Sequence, residues 1–248
     1  GSSELTFMQV LEWGGMVGYI IIGLSAVTLM LIGYHLVALR KGVLMPEEAV
    51  EHTGALLRDR KLKDALQYTN EENSLFSRIV SAGIGRIRGG WDEMEEIMGD
   101  VAEDEAMRLE QTVGYFALIA AVAPLLGLLG TVIGMILAFN QIANEGVVTP
   151  ADLANPIQQA LVTTCFGLIV AIPNVAAFTL FRNRLRRLMV EVSVAVEEVT
   201  FPYRGLKPIT AAATKQAAAR AAAAQGAVEE EDAAAPAAPA AAPAGAEA

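Results

Sequence analysis

The chain has 248 residues, 54% of them hydrophobic and 19% charged, with a formal charge of −10 and a mean hydropathy of +0.42, which is too apolar for an ordinary soluble domain. Its single cysteine, Cys165, excludes an internal disulfide and any cysteine-based zinc site. No G-x-x-x-x-G-K-[ST], G-x-S-x-G or H-E-x-x-H occurs, so nothing indicates ATP hydrolysis or intramembrane proteolysis by those routes, and neither an enzymatic activity nor a cofactor is expected.

The chain opens Gly-Ser-Ser without an initiator methionine, which fits either a processed terminus or a remnant of expression. Within an N-terminal segment 1–14, residues 4–13 (ELTFMQVLEW) put Leu5, Met8 and Leu11 on one side and Glu4 and Glu12 elsewhere. That pattern predicts a short amphipathic helix on the outer surface, with Trp13 at headgroup level. Residues 15–39 are free of charge and form the first expected span. His35 lies near its inner end, where an interfacial imidazole is the ordinary explanation, and neither it nor His52 stands in a ligand pattern.

Residues 40–112 read as helical. Pro46 stands at the first position of one helix, a second covers 61–68, and a third runs from 74 to about 88 and stops at Gly89 and Gly90. Asp92 with Glu95 resembles a capping pair opening a helix that meets no proline until Pro124. Nothing breaks it at the membrane surface, so a helix over 92–139 would be about 70 Å long. The second span covers 113–139 (VGYFALIAAVAPLLGLLGTVIGMILAF), a short connection 140–156, and the third span 157–181 (IQQALVTTCFGLIVAIPNVAAFTLF); neither span holds a charge. Past it, Arg182, Arg184, Arg186 and Arg187 form a basic cluster at the membrane edge, and Leu188, Val192, Ala195 and Val199 continue at helical spacing through 182–204. Residues 205–248 are rich in Ala and Pro, and the end should be disordered. The expected fold is therefore all-α, with three transmembrane helices, two of them continuing as long helices into the cytoplasm.

Charge placement predicts orientation. All 18 Lys and Arg lie at Arg40, Lys41, between Arg58 and Arg108, or from Arg182 onward. By the positive-inside rule the N-terminus and the 140–156 connection face outward, while 40–112 and the C-terminus are cytoplasmic. Membrane lipids are the expected surroundings, and no nucleic acid is expected as a partner.

Polar residues distinguish the last two spans from plain anchors: Thr131 in one, and Gln159, Thr163, Thr164 and Asn174 in the other, with Pro124 and Pro173 inside the helices. If the two run antiparallel, Thr131 and Thr164 lie at a common depth, about 10 to 12 Å below one face. Membrane threonines commonly bond back to their own helix; hydroxyls at one level can also line a wet pathway. Gly127, Thr131, Gly134 and Ala138 follow i, i+4, i+7, i+11, a narrow face of small residues that Gly130 widens for close helix packing. Cys165 is expected to pack as a small apolar residue within the span.

RLEQTVGYFALIAAVAPLLGLLGTVIGMILAF followed by LVTTCFGLIVAIP resembles the signature of the ExbB/TolQ/MotA family. The opening WGGMVGYIIIGLSAVTLMLIGYHLVALRKG and PEEAVEHTGALLRDRKLKDAL are similar to its ExbB/TolQ branch. The resemblance implies a subunit of a proton-motive-force-driven motor in the bacterial inner membrane. Five copies would form a ring whose second and third spans line a pore holding the single spans of two ExbD/TolR-like subunits; a TonB/TolA-like protein is a further partner the resemblance admits. Thr131 and Thr164 match the family's pore threonines, with Thr163 and Gln159 bordering the path. Gln159 stands where the branch commonly carries glutamate, so a titrating carboxylate would have to come from the partner. The alternative is a pentameric scaffold that anchors a partner without conducting ions.

Overall fold

The computed structural model describes residues 15–145 and 149–208. The amphipathic helix expected at 4–13 and most of the Ala/Pro-rich tail lie outside the described residues. Described are α1 (Gly15–Ala38), α2 (Lys41–Leu44), α3 (Glu47–Arg58), α4 (Leu62–Glu71), α5 (Leu75–Gly85), α6 (Trp91–Glu145) and α7 (Pro150–Thr200). α1, α6 and α7 are each long and apolar enough to cross a membrane, and most of their apolar surface is exposed on the single chain, as lipid-facing helices require. The chain is an all-α membrane protein.

α6 and α7, with 55 and 51 residues, are each about 80 Å long. Both outrun the expected spans: α6 continues past Phe139 and α7 begins before Ile157. Most of the expected connection 140–156 is therefore helix. Pro156, which looked like a loop residue, sits inside α7 and is buried.

α6 also starts one residue before the expected capping pair. The Trp91 N–H donates to the Leu206 carbonyl at 2.9 Å, so main chain from a distant part of the sequence satisfies the first N–H of the helix. Gly90 makes this crossing possible. It has φ +90, and a Cβ there would lie 2.8 Å from Pro208 N. Pro46 precedes α3 as its N-cap, and Ser74 caps α5 by accepting from the Ser77 N–H at 3.2 Å.

The core has two parts. One lies among the three apolar helices and contains Val17, Ile21, Ile119, Ala123 and Val170. The other joins the first part of α6 and the last part of α7 to α3, α4 and α5 in a helical head, through residues such as Leu57, Phe76, Val80, Met94, Leu185 and Val192. The 188, 192, 195, 199 stripe is buried throughout, as its spacing predicts.

Candidate functional site

α6 and α7 are held in contact by missing side chains. A Cβ added to Gly127 would lie 2.9 Å from Thr164 Cα, to Gly130 2.6 Å from Thr163 Cβ, to Gly134 2.7 Å from the Pro156 carbonyl, and to Gly167 2.6 Å from the Ala123 carbonyl. These pairs fix an antiparallel register in which Thr164 faces Gly127 and Thr163 faces Gly130. Thr131 and Thr164 therefore do not share a depth. Thr131 is about one turn, ~5 Å, nearer the connection. The contact face runs through Ala123, Gly127, Gly130, Gly134 and Ala138, all buried, and Gly130 takes the place expected for Thr131. Pro124 adjoins this face, its Cα 3.3 Å from a Cβ built on Gly167, whereas Pro173 is exposed.

Each hydroxyl has one proton to give. Thr131 Oγ1 donates to the Leu128 carbonyl at 2.6 Å, and Thr163 Oγ1 to the Ala160 carbonyl at 2.9 Å. Thr164 Oγ1 reaches across the interface to the Gly127 carbonyl at 3.2 Å, with its own Ala160 carbonyl as a second acceptor at 3.3 Å. Thr163 is 1% exposed and packs, whereas Thr131 and Thr164 are partly exposed.

α1 covers one side of the α6/α7 pair. It touches Gln159, whose amide lies over Gly15, as well as Phe166, Asn174 and Phe181 on α7, and Thr112 and Phe116 on α6. At 100° per residue, Thr164 lies ~140° around α7 from Gln159, and Thr131 ~120° around α6 from Ile119, which packs against α1. Thr131 and Thr164 thus share the side turned away from α1. Gln159 is on the other side, against the first turn of α1, and does not border them.

The basic cluster divides by direction. Arg182 sits over the Phe178 ring at 5.5 Å, beside a cleft of about 240 Å³ that Glu110 also lines. Arg184 donates from Nε to the Leu39 carbonyl at 2.7 Å. Arg187 lines a groove between α1 and α7, and Arg186 is exposed. Cys165 is exposed too, so it does not pack inside the bundle.

The burial of two polar residues named from the sequence was not anticipated. His35 is 1% exposed, ringed by Tyr34, Phe116 and Phe181, with Nδ1 2.8 Å from the Leu31 carbonyl and Nε2 3.3 Å from Thr112 Oγ1. It is an interior residue, not an interfacial one. Asn174 is 0% exposed and donates from Nδ2 to Thr28 Oγ1 at 2.9 Å. A seven-residue repeat, Ile21, Thr28, His35, was the available signal: all three are buried on one face of α1.

Comparison with known proteins decides the family. The MotA/TolQ/ExbB proton channel family matches residues 71–193. Biopolymer transport protein ExbB of Aquifex aeolicus is 36% identical over 136 residues, covering 53% of this chain and 89% of the relative. The chain belongs to the MotA/TolQ/ExbB proton channel family. Further members are biopolymer transport protein exbB1 of Vibrio cholerae, 24% identical over 81% of this chain and 90% of the relative, and ExbB of Pseudomonas putida, 30% identical over 58% of this chain. The chain spans 46% of the Pseudomonas protein's length. The family match takes in α6 and most of α7, with their glycine contacts and both threonines turned away from α1.

Proposed function

We propose that this chain is the channel subunit of a proton-motive-force-driven motor in a bacterial inner membrane. Five copies form a ring, with N-termini periplasmic and the helical head (40–112 and 182–204) cytoplasmic. The observation that carries this is the placement of Thr131 and Thr164 on one shared side of the α6/α7 pair, uncovered by α1, in a proton channel family. In the ring that side lines the central pore.

Neither pore-lining span contains an ionisable carboxylate. Hydroxyls relay a proton by exchanging hydrogen bonds but do not hold one near neutral pH. The titrating acid therefore belongs to the pore's occupant, a pair of ExbD/TolR-like single-span subunits bearing an aspartate, whose desolvation would raise its pKa into a usable range. Movement of ring against occupant is passed on to a TonB/TolA-like protein. Thr163 and Gln159 act in packing, Thr163 against Gly130 and Gln159 against Gly15.

The test is proton flux in proteoliposomes holding the chain with its partner. Thr131→Val and Thr164→Val should each abolish potential-driven flux while leaving the assembly intact. Unchanged flux in both removes the hydroxyls from the mechanism. Absence of flux in the native complex under a potential favours a pentameric scaffold, the reading for which the missing carboxylate speaks.

A further inference from the structure

A groove of about 650 Å³ runs between the end of α1 and α7. One end is apolar: Leu36 and Leu180 are 50% and 69% exposed there, on the single chain. The other end holds Lys41, Arg184 and Arg187 against one acid, Glu191, which pairs with Lys41 at 3.5 Å. Among the described residues Arg184 bonds the Leu39 carbonyl through Nε, which leaves the two Nη groups of its guanidinium to face a ligand as a planar fork. The change from apolar to cationic occurs over Leu180 to Arg187, roughly 10 Å of helix, at the point where the charge-free span ends.

We propose that this groove is a binding site for one anionic phospholipid. The headgroup phosphate sits on Arg184, Arg187 and Lys41, and the acyl chains run along Leu36 and Leu180. The gradient along the groove is that of a lipid at the membrane boundary, and the excess of cations selects a headgroup with net negative charge. A free phosphate would leave the apolar end unused. The proposal rests on the chain being a membrane protein and not on ion conduction, so a failed flux test leaves it standing.

Native mass spectrometry of the delipidated full chain tests it, with phosphatidylglycerol and phosphatidylcholine of identical acyl chains as probes. One phosphatidylglycerol per chain should be retained in preference to phosphatidylcholine. Arg187→Gln should weaken that retention about fivefold, the effect of about 1 kcal/mol for one basic residue at a membrane surface. Lys41→Gln should act in the same direction. Arg186→Gln makes the same charge change on the same helix outside the groove lining, and should retain lipid as the native chain does. Equal loss in Arg186→Gln and Arg187→Gln, equal retention of the two lipids, or displacement by inorganic phosphate alone would overturn the site. So would a change in the number of associated copies in Arg187→Gln with lipid retention unchanged, which would assign the groove to a second copy.

Discussion

Arg184 Nε donates to the main-chain carbonyl of Leu39 at 2.7 Å, so a side chain of α7 satisfies one of the orphan carbonyls at the end of α1. A cation there also complements the helix dipole. Arg184→Met should therefore cost about 1–2 kcal/mol in unfolding measured in detergent. Arg184→Lys should recover part of it, because an ammonium supplies the charge without the fork. Arg186→Met, at an exposed position, should change stability by less than ~0.5 kcal/mol.

Gly127 should be intolerant of any side chain. Its added Cβ meets Thr164 Cα at 2.9 Å and the Thr163 carbonyl at 3.1 Å, both backbone atoms, so no rotamer change relieves the clash and the helices must separate. Gly127→Ala is expected to destabilise by about 1–3 kcal/mol. Gly114, on the same helix with nothing within 4 Å of an added Cβ, is the control. Gly114→Ala should be neutral or slightly stabilising, because alanine is the better helix former. Thermal unfolding of the two variants side by side reads the difference.

Asn174 and Thr28 lock α7 to α1. Asn174 Nδ2 donates to Thr28 Oγ1 at 2.9 Å and to the Val170 carbonyl at 2.8 Å, while Thr28 Oγ1 has its own Leu24 carbonyl at 2.9 Å. A double-mutant cycle of Asn174→Leu and Thr28→Val should yield a favourable coupling of about 0.6 kcal/mol, and under ~1.7 kcal/mol. A coupling of zero would mean that each side chain is satisfied by its own helix and that the cross-helix bond adds nothing.

What the sequence made legible was whatever a single helix carries by itself. The charge-free lengths gave three apolar helices, the 188, 192, 195, 199 spacing gave the buried stripe, and Gly127, Gly130 and Gly134 marked the close contact. The register between α6 and α7 was not legible, because it depends on how far each helix runs into the connection. Asn140 and Pro156 look like loop residues yet are helical, and that moved Thr131 a turn away from Thr164. His35 misled for a related reason: a histidine near a span's end is ordinarily interfacial, and its burial here is made by Phe116 and Phe181, far along the chain. The start of α6 at Trp91 likewise depends on Leu206, which no local capping rule could supply.

Tyr203 gives the head a stability that alkaline pH removes. It is 7% exposed, and its hydroxyl donates to the Leu57 carbonyl at 2.8 Å, fastening the end of α7 to α3. Burial raises its pKa above the ordinary value of 10.0, with Arg60 opposing more weakly. The folded phenol therefore holds its proton to higher pH than the unfolded one. Its contribution is complete below about pH 10 and is lost as pH rises through the folded value. Tyr203→Phe removes the titrating group and one hydrogen bond. The Leu57 carbonyl keeps the Arg60 N–H at 3.0 Å as a partner, so the cost at neutral pH should be only about 1 kcal/mol. Between pH 9 and 11 the native chain should lose stability more steeply than the variant. A residual slope should remain from Tyr68, raised first by burial and then by Glu72 and Glu48. Chemical unfolding at a series of pH values compares the two slopes, and parallel curves would show that the Tyr203 phenol does not titrate differently on folding.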